Sequence, residues 1–494
     1  MDPYLHQYIP LSPPHHDRIA IMFQTYRMRA FGCLLCLILF TGSFASGQEA
    51  PTLRAGAAIA NITPPLGELV VGGFVPFPAN QIHDPLHARC LVLDDGKTRI
   101  AIVICDNLGI NRDVYDEARK QISENSNIPA NQILMAATHT HSATRAHEPK
   151  YRPTVVSGIA AVVNDAIKNL TPAKIGWGGI DESSEVFNRR WHVSKPELAR
   201  NPFGGVDTVR MNPPRANTAL MKPAGPIDPE VSFLSVQTVS GKPLALLANY
   251  SLHYVGGVNK GDVSADYFGV FSKQISKLLN AGSANPQFIG MMSNGTSGDI
   301  NNINFRDGNA RRYDRYEKMT EVANKVADRV SEAHADLHFS KSVKIDSITR
   351  ELKLTMRKPD AKIKAWFGEV MAKPEDAEKF HRYERTYAAR VQKLQDGPDE
   401  ISIPLQVLRI GNLAIAAIPF ETFAEIGLEI KEKSPFADTF TIELANDSRG
   451  YLPTPRQHKL GGYETWMGTN RVQLNASKLI TETLLDMMHE LHKN

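Results

Sequence analysis

Residues 133–142 read Ile133-Leu134-Met135-Ala136-Ala137-Thr138-His139-Thr140-His141-Ser142, five apolar residues running straight into a polar segment that carries two histidines. A short unbroken apolar run bounded by polar residues has the pattern of a buried strand. Upstream, residues 90–93 and 100–105 have the same apolar, β-branched character, and a helix-length segment at 113–124 separates them from 133–137. Strands alternating with helices predict an α/β fold.

The rhythm continues downstream. A helix is expected near 154–169, strands near 231–237 and 244–250, a helix near 267–280 and a strand near 288–292. Residues 306–336 are helical in pattern and highly charged, and 342–354 alternate like a strand. Strands follow at 401–410 and 413–418, then a helix from about 421, a strand near 439–444, a polar Gly/Pro-rich loop and an amphipathic helix from about 476. With no repeat and no long linker, the expectation is a single large domain over 51–494, a mixed sheet flanked by helices. A Lys/Glu/Arg-rich helical insertion at 358–400 reads as a solvated elaboration of it.

Composition narrows the class. The chain has 494 residues, 42% hydrophobic and 22% charged, which is ordinary globular usage and excludes disordered and fibrous folds. Lys+Arg 56 against Asp+Glu 53 leaves +3, and no basic run is clustered, so nucleic acid is not an expected partner.

Arg27 and Arg29 precede an apolar stretch at 30–40, and Ser43, Ala45, Ser46 and Gly47 follow it, the layout of a secretory signal peptide. That stretch is much shorter than the roughly 20 residues of a bilayer-spanning helix, and no later window reaches that length. The expectation is an exported protein, periplasmic or secreted, with no transmembrane segment after signal removal. Residues before Met28 fit no region of a signal peptide, so translation is expected to begin at Met22 or Met28, and 1–47 are set aside as N-terminal extension and signal. Cys90 and Cys105 remain. Asp95-Gly96 reads as a two-residue hairpin turn that sets Cys90 opposite Ala101. Cys105 is then offset by about 13 Å at ~3.3 Å per residue, too far for a disulfide. Two buried free thiols are expected.

Several segments carry chemical potential. His139 and His141 share a parity beyond a strand, where ligands gather in open α/β sheets, so one could bind a metal while the other moves a proton; an ordinary polar loop can carry the same spacing. His253 again ends an apolar strand. Residues 292–302 form a small polar loop able to offer backbone N–H groups to a ligand or to close a tight turn on itself. Glu421 stands where a strand hands over to a helix, a place the helix dipole alone favours for a carboxylate. Residues 450–454 and 461–464 make a loop rich in glycine and tyrosine.

The joint order of these segments resembles the neutral (alkaline, non-lysosomal) ceramidase family, from about Gly56 onward. It is carried by Gly56-Ala57-Ala58-Ile59-Ala60-Asn61-Ile62-Thr63-Pro64, Gly72-Gly73-Phe74, Thr138-His139-Thr140-His141-Ser142 and Asn188-Arg189. His253, Ser264-Ala265-Asp266-Tyr267, the 294–302 loop, Pro419-Phe420-Glu421 and Gly450-Tyr451-Leu452-Pro453-Thr454 complete it. The resemblance implies a catalytic zinc held by His139, His253, Glu421 and Tyr451, with His141 orienting a ligand or shuttling a proton and Arg189 stabilising an oxyanion.

The chain departs from the family in two ways. Where the family has a nucleophilic serine in Gly-Asp-Val-Ser-Pro-Asn, this sequence reads Gly298-Asp299-Ile300-Asn301-Asn302. An amide is no such nucleophile, so zinc-activated water is expected to attack an amide (N-acyl) bond, with Asp299 or His141 as base; Thr296 and Ser297 are nearby hydroxyls without an assigned role. The family's C-terminal immunoglobulin-like domain is also expected to be lacking. The substrate is then a small molecule or lipid-like amide, with esters or sugar-linked compounds at the same metal as alternatives. A different class of alternative is an inactive ceramidase-like binding protein.

Overall fold

The apolar run ending at Ala137 is an edge strand of an eight-stranded sheet in the computed structural model, which describes residues 52–73, 75–282 and 287–493. The N-terminal extension, the signal segment and Phe74 lie outside the described residues. In chain order the strands of this sheet are β1 (Arg54–Asn61), β2 (His87–Asp94), β3 (Arg99–Cys105), β4 (Ile133–Ala137), β5 (Thr171–Asp181), β6 (Glu230–Thr238), β7 (Pro243–Tyr250) and β8 (Ile289–Asn294). Their spatial order is β8-β7-β6-β5-β1-β2-β3-β4, with β3/β4 and β7/β8 parallel and the remaining pairs antiparallel. This is the mixed sheet that the strand and helix pattern predicts.

The strands after residue 345 do not extend that sheet. β9 (Ile345–Thr355), β10 (Glu400–Ile410), β11 (Leu413–Ile418) and β12 (Asp438–Glu443) form a second sheet in that order, with β11/β12 parallel. The two sheets pack face to face. Ile100, Ile102 and Ile104 of β3 share one buried cluster with Leu408, Ile410, Leu413, Ile415 and Phe440 of the second sheet. The alternate residues Ala101, Val103 and Cys105 turn to the opposite face, against α1 (Arg112–Asn125) and α2 (Arg152–Lys168). Burial on both faces demands apolar residues at both parities, which is why these strands read as continuous apolar runs.

Helices α3 (Asp266–Leu278) and α4 (Glu317–His334) cover the other half of the first sheet. The insertion supplies α5 (Ala361–Ala372) and α6 (Glu384–Asp396). These are not wholly solvated: Trp366, Val370, Tyr387, Ala388, Val391 and Leu394 bury one another and Met467. The outer face of the second sheet is covered by α7 (Ala424–Lys433) and α9 (Ala476–Lys493), with the short α8 (Pro455–Leu460) between them in sequence. Among the described residues no helix is long and apolar enough to cross a membrane.

Three local readings change. The β2–β3 connection spans four residues, because Asp94 pairs with Arg99 and the Asp95 carboxylate accepts from the N–H groups of Lys97 and Thr98. The register therefore sets Cys90 opposite Val103, and both thiols are buried and free. β5 escapes the pattern because glycines depress strand propensity. Gly176 is needed there, since an added Cβ would come within 2.5 Å of the His338 carbonyl oxygen. Lastly, Glu421 does not open a helix. Glu421–Thr422 is a short strand parallel to Tyr451–Leu452, and α7 begins at Ala424.

Candidate active site

The two sheets meet where their parallel strands end. The Ala137 N–H donates to Leu444 O (3.3 Å), the Asn446 N–H to Met135 O (2.7 Å), and Asn249 Nδ2 to Thr441 O (3.1 Å). His139 therefore follows β4, His253 follows β7, Glu421 follows β11 and Glu443 closes β12, all at one edge. His139 adopts a left-handed backbone with φ +72, its N–H tied to Asn107 O (2.8 Å). Such strain in a non-glycine residue persists only where surrounding contacts over-determine it.

The imidazoles of His139, His141 and His253 converge, with candidate ligand atoms all within 4.8 Å of one another. His139 Nε2 lies 3.1 Å from the Nε2 atoms of both His253 and His141, and 3.4 Å from Glu421 Oε2. Their other nitrogens decide what those Nε2 atoms carry. His139 Nδ1 donates to Leu108 O (2.6 Å) and His253 Nδ1 to Ser297 O (3.1 Å), since a carbonyl can only accept. In neutral rings that leaves two Nε2 lone pairs facing each other. Burial, followed by the Arg189 charge, holds His253 well below the ordinary histidine range, and burial followed by His139 does the same to His141. Glu421 Oε2 is buried without a hydrogen-bond donor. Two opposed lone pairs and an orphaned carboxylate oxygen form a donor set that a cation satisfies, and nitrogen and carboxylate ligands suit zinc.

Glu421 and Tyr451 are register partners in their short ladder. Burial alone would raise the Glu421 carboxyl, but His139, Tyr451 and the Arg189 charge hold it below the usual carboxylate range. Arg189 NH2 donates to Tyr451 Oη (3.0 Å) and to Gly298 O (2.8 Å), while its Nε donates to Glu464 (3.0 Å). Arg189 thus acts on Tyr451 rather than facing the cleft. His141 stacks on Tyr254 with ring centroids 3.7 Å apart. Gly72, whose φ is +139, holds its other side: a Cβ there would lie 2.5 Å from His141 Cβ.

Asp299 and Asn301 point elsewhere. Asp299 accepts from Asn188 Nδ2 (2.7 Å) and from the Ala424 N–H (2.9 Å), and burial pushes its carboxyl up to about 6. Asn301 donates to Asn212 Oδ1 (2.7 Å) and accepts from the Ile303 N–H (3.0 Å). Neither lines the cleft above the histidines, which has a volume of about 1120 Å³ and is lined by His139, His141, Glu421, Tyr451 and Tyr463 among others. Motif reading also missed Glu443. Its carboxylate accepts from Ser297 Oγ (2.7 Å) and the Thr422 N–H (2.7 Å), and so braces both the residue behind His253 and the strand of Glu421. Burial drives that carboxyl well above its ordinary range. Its place at the end of an apolar strand was the available signal.

A family model described as neutral/alkaline non-lysosomal ceramidase, N-terminal, matches residues 53–312. The fold is similar to the crystal structure of neutral ceramidase from Pseudomonas aeruginosa, with TM-score 0.68 and 17% identity over 90% of this chain and 75% of that one. It is likewise similar to a ceramidase complexed with C2, with TM-score 0.67 and 16% identity over 90% of this chain and 75% of the other. With residues 53–312 of 494 accounted for by the family model, the chain belongs to the neutral/alkaline non-lysosomal ceramidase family.

Proposed function

We propose that this protein is an exported zinc-dependent hydrolase that cleaves an amide (N-acyl) bond in a small-molecule or lipid-like substrate, with residues 51–494 as its catalytic domain. One observation carries the reading: the opposed Nε2 atoms of His139 and His253 and the orphaned Oε2 of Glu421 meet where His139 and Glu421 line a large cleft. His139, His253 and Glu421 would hold the metal and Tyr451 would complete the set. Held by these residues, zinc would supply Lewis-acid polarisation of a carbonyl and a water ionising near neutral pH.

The chain's own residues do the rest. Leu108 O and Ser297 O fix the ring tautomers, so both Nε2 atoms present lone pairs to the floor. Arg189 holds the Tyr451 hydroxyl in place. His141, kept neutral by burial and standing beside His139, would accept the proton that water loses and return it to the leaving amine. Asp299 is less suited to that task because Asn188 and Ala424 occupy its oxygens. With Asn301 in place of the family's serine, water serves as the attacking group.

A second reading is favoured by the 3.1 Å approach of His141 to His139, which allows His141 to be a ligand in place of Tyr451. Export rests on the charged, apolar and small-residue order of 27–47. Purified protein should contain stoichiometric zinc and release fatty acid from N-acyl amides, and His253→Ala should lose both. A wild-type protein that binds no metal and hydrolyses no member of an amide and ester panel would refute the proposal.

A further inference from the structure

The mouth of the cleft carries charge that its floor does not need. Arg145, Arg390, Lys393, Arg449 and Arg471 line the cleft, against Glu148 and Asp396. Two of these cations are engaged: Arg449 pairs with Asp447 (2.5 Å), and Arg390 bonds Tyr387 and Thr469. Arg145, Lys393 and Arg471 form no ion pair among the described residues. Asp396, the nearest carboxylate in sequence to Lys393, instead accepts from Gln392 (2.6 Å).

Arg471, an exposed residue, lies beside the Tyr451 loop. A Cβ at Gly450, the residue before Tyr451, would lie 3.9 Å from Arg471 Nε, so the guanidinium runs beside the backbone that carries a candidate metal ligand. The positive φ of Gly450, +86, further confines that position to glycine. Burial, then the charges of Arg390 and Arg449, act against the protonated Arg471, the Glu421 carboxylate acts for it, and Arg145 again acts against it. Gathering like charges at the mouth destabilises the free protein, and an anionic ligand reverses that cost. Guanidinium groups suit planar carboxylates and phosphates because they donate in pairs. An uncharged acyl amide offers none of the three an anionic partner.

Resting on the hydrolase reading above, we propose that the substrate is an anionic amide, whose carboxylate or phosphate group is bound at the cleft mouth by Arg145, Lys393 and Arg471 while its acyl-amide bond reaches the histidine floor. Bulk charge did not announce this, because the whole chain is nearly balanced at +3; the asymmetry is local to the cleft.

The test uses the full-length, zinc-loaded protein and three amides matched in acyl chain: N-lauroylglycine, N-lauroyl-O-phosphoethanolamine and the uncharged N-lauroylglycinamide. Alkylsulfonyl counterparts, which resist hydrolysis, report binding by calorimetry. The expected kcat/KM for at least one anionic amide exceeds that of the neutral one by about tenfold at low salt, binding follows the same order, and the preference shrinks toward parity at about 0.5 M salt. The comparison of the two acids shows which headgroup is preferred. In the Arg145→Gln/Arg471→Gln variant the preference ratio should fall close to one, and Arg471→Lys should restore part of it. Hydrolysis of all three at equal rates, or a preference for the neutral amide, overturns the anionic assignment and leaves the hydrolase reading intact. Tight binding of the anionic analogues with no turnover of any amide or ester overturns the hydrolase reading instead, while the anion site stands. Failure to bind any analogue overturns the anion site.

Discussion

The floor and the mouth of the cleft are built on opposite principles. At the floor each polar group is held by a second one: Leu108 O on His139, Ser297 on His253, Glu443 on Ser297, Arg189 on Tyr451. Most of these groups sit at strand ends of two packed sheets, so their positions are consequences of the core. At the mouth Arg145, Lys393 and Arg471 stand on loops and an insertion helix with no carboxylate partners among the described residues. The difference teaches that, on the proposed function, the chemistry stands on the rigid part of the molecule and the selectivity on the part that can vary without unfolding it.

The sharpest way to break that contrast is at the floor. His253→Ala should weaken zinc binding beyond the roughly 100-fold span of outer-shell changes, measured by competition with a chelator; full retention of metal would show the floor is not a metal site. Next comes the scaffold beneath it. Asp299 keeps its proton to about pH 6 in the folded state, against an ordinary 3.8, so the native protein binds more protons than the unfolded chain in that window. Stability should therefore fall as pH rises from about 3.8 to about 6, by at most about 3 kcal/mol from this group. Asp299→Asn should flatten that slope in urea midpoints measured across the window, and an unchanged slope would remove the assignment.

Gly72→Ala tests whether His141 moves a proton or holds the metal. Its Cβ would drive into the His141 ring, and the expected loss in kcat is roughly 100-fold. Retained zinc assigns His141 the proton, whereas lost zinc makes it a ligand. Glu443→Gln should cost about tenfold in metal affinity by loosening Ser297 behind His253. The smallest effect belongs to the mouth: Arg471→Ala should leave stability unchanged or raise it by up to about 0.5 kcal/mol in thermal unfolding, because it removes a charge crowded by Arg390, Arg449 and Arg145 that makes no ion pair among the described residues. A loss well above that would mean the side chain is structural, and the contrast between floor and mouth would fail.

Legibility in the sequence followed locality. The strand ending at Ala137, the two histidines beyond it and the order of motifs through Tyr451 are written in contiguous residues, and the structure brings His139, His253 and Glu421 to one place with Tyr451 alongside. Asp299 and Asn301 share that motif order but face away, because side-chain direction in a loop depends on what packs around it. The glycine-rich β5 was invisible since its strand state is imposed by neighbours on both edges.

By itself, then, the sequence determined the α/β alternation, the doubly buried strands and the identities of the histidines, because periodicity and residue chemistry are properties of short segments. Only the tertiary structure decided that the later strands form a second sheet, that Glu421 lies on a strand beside Tyr451, that Glu443 braces the floor and that Arg145, Lys393 and Arg471 line one cleft with no ion pair among the described residues. Those depend on contacts between residues far apart in the chain, and no local pattern encodes which surfaces will meet.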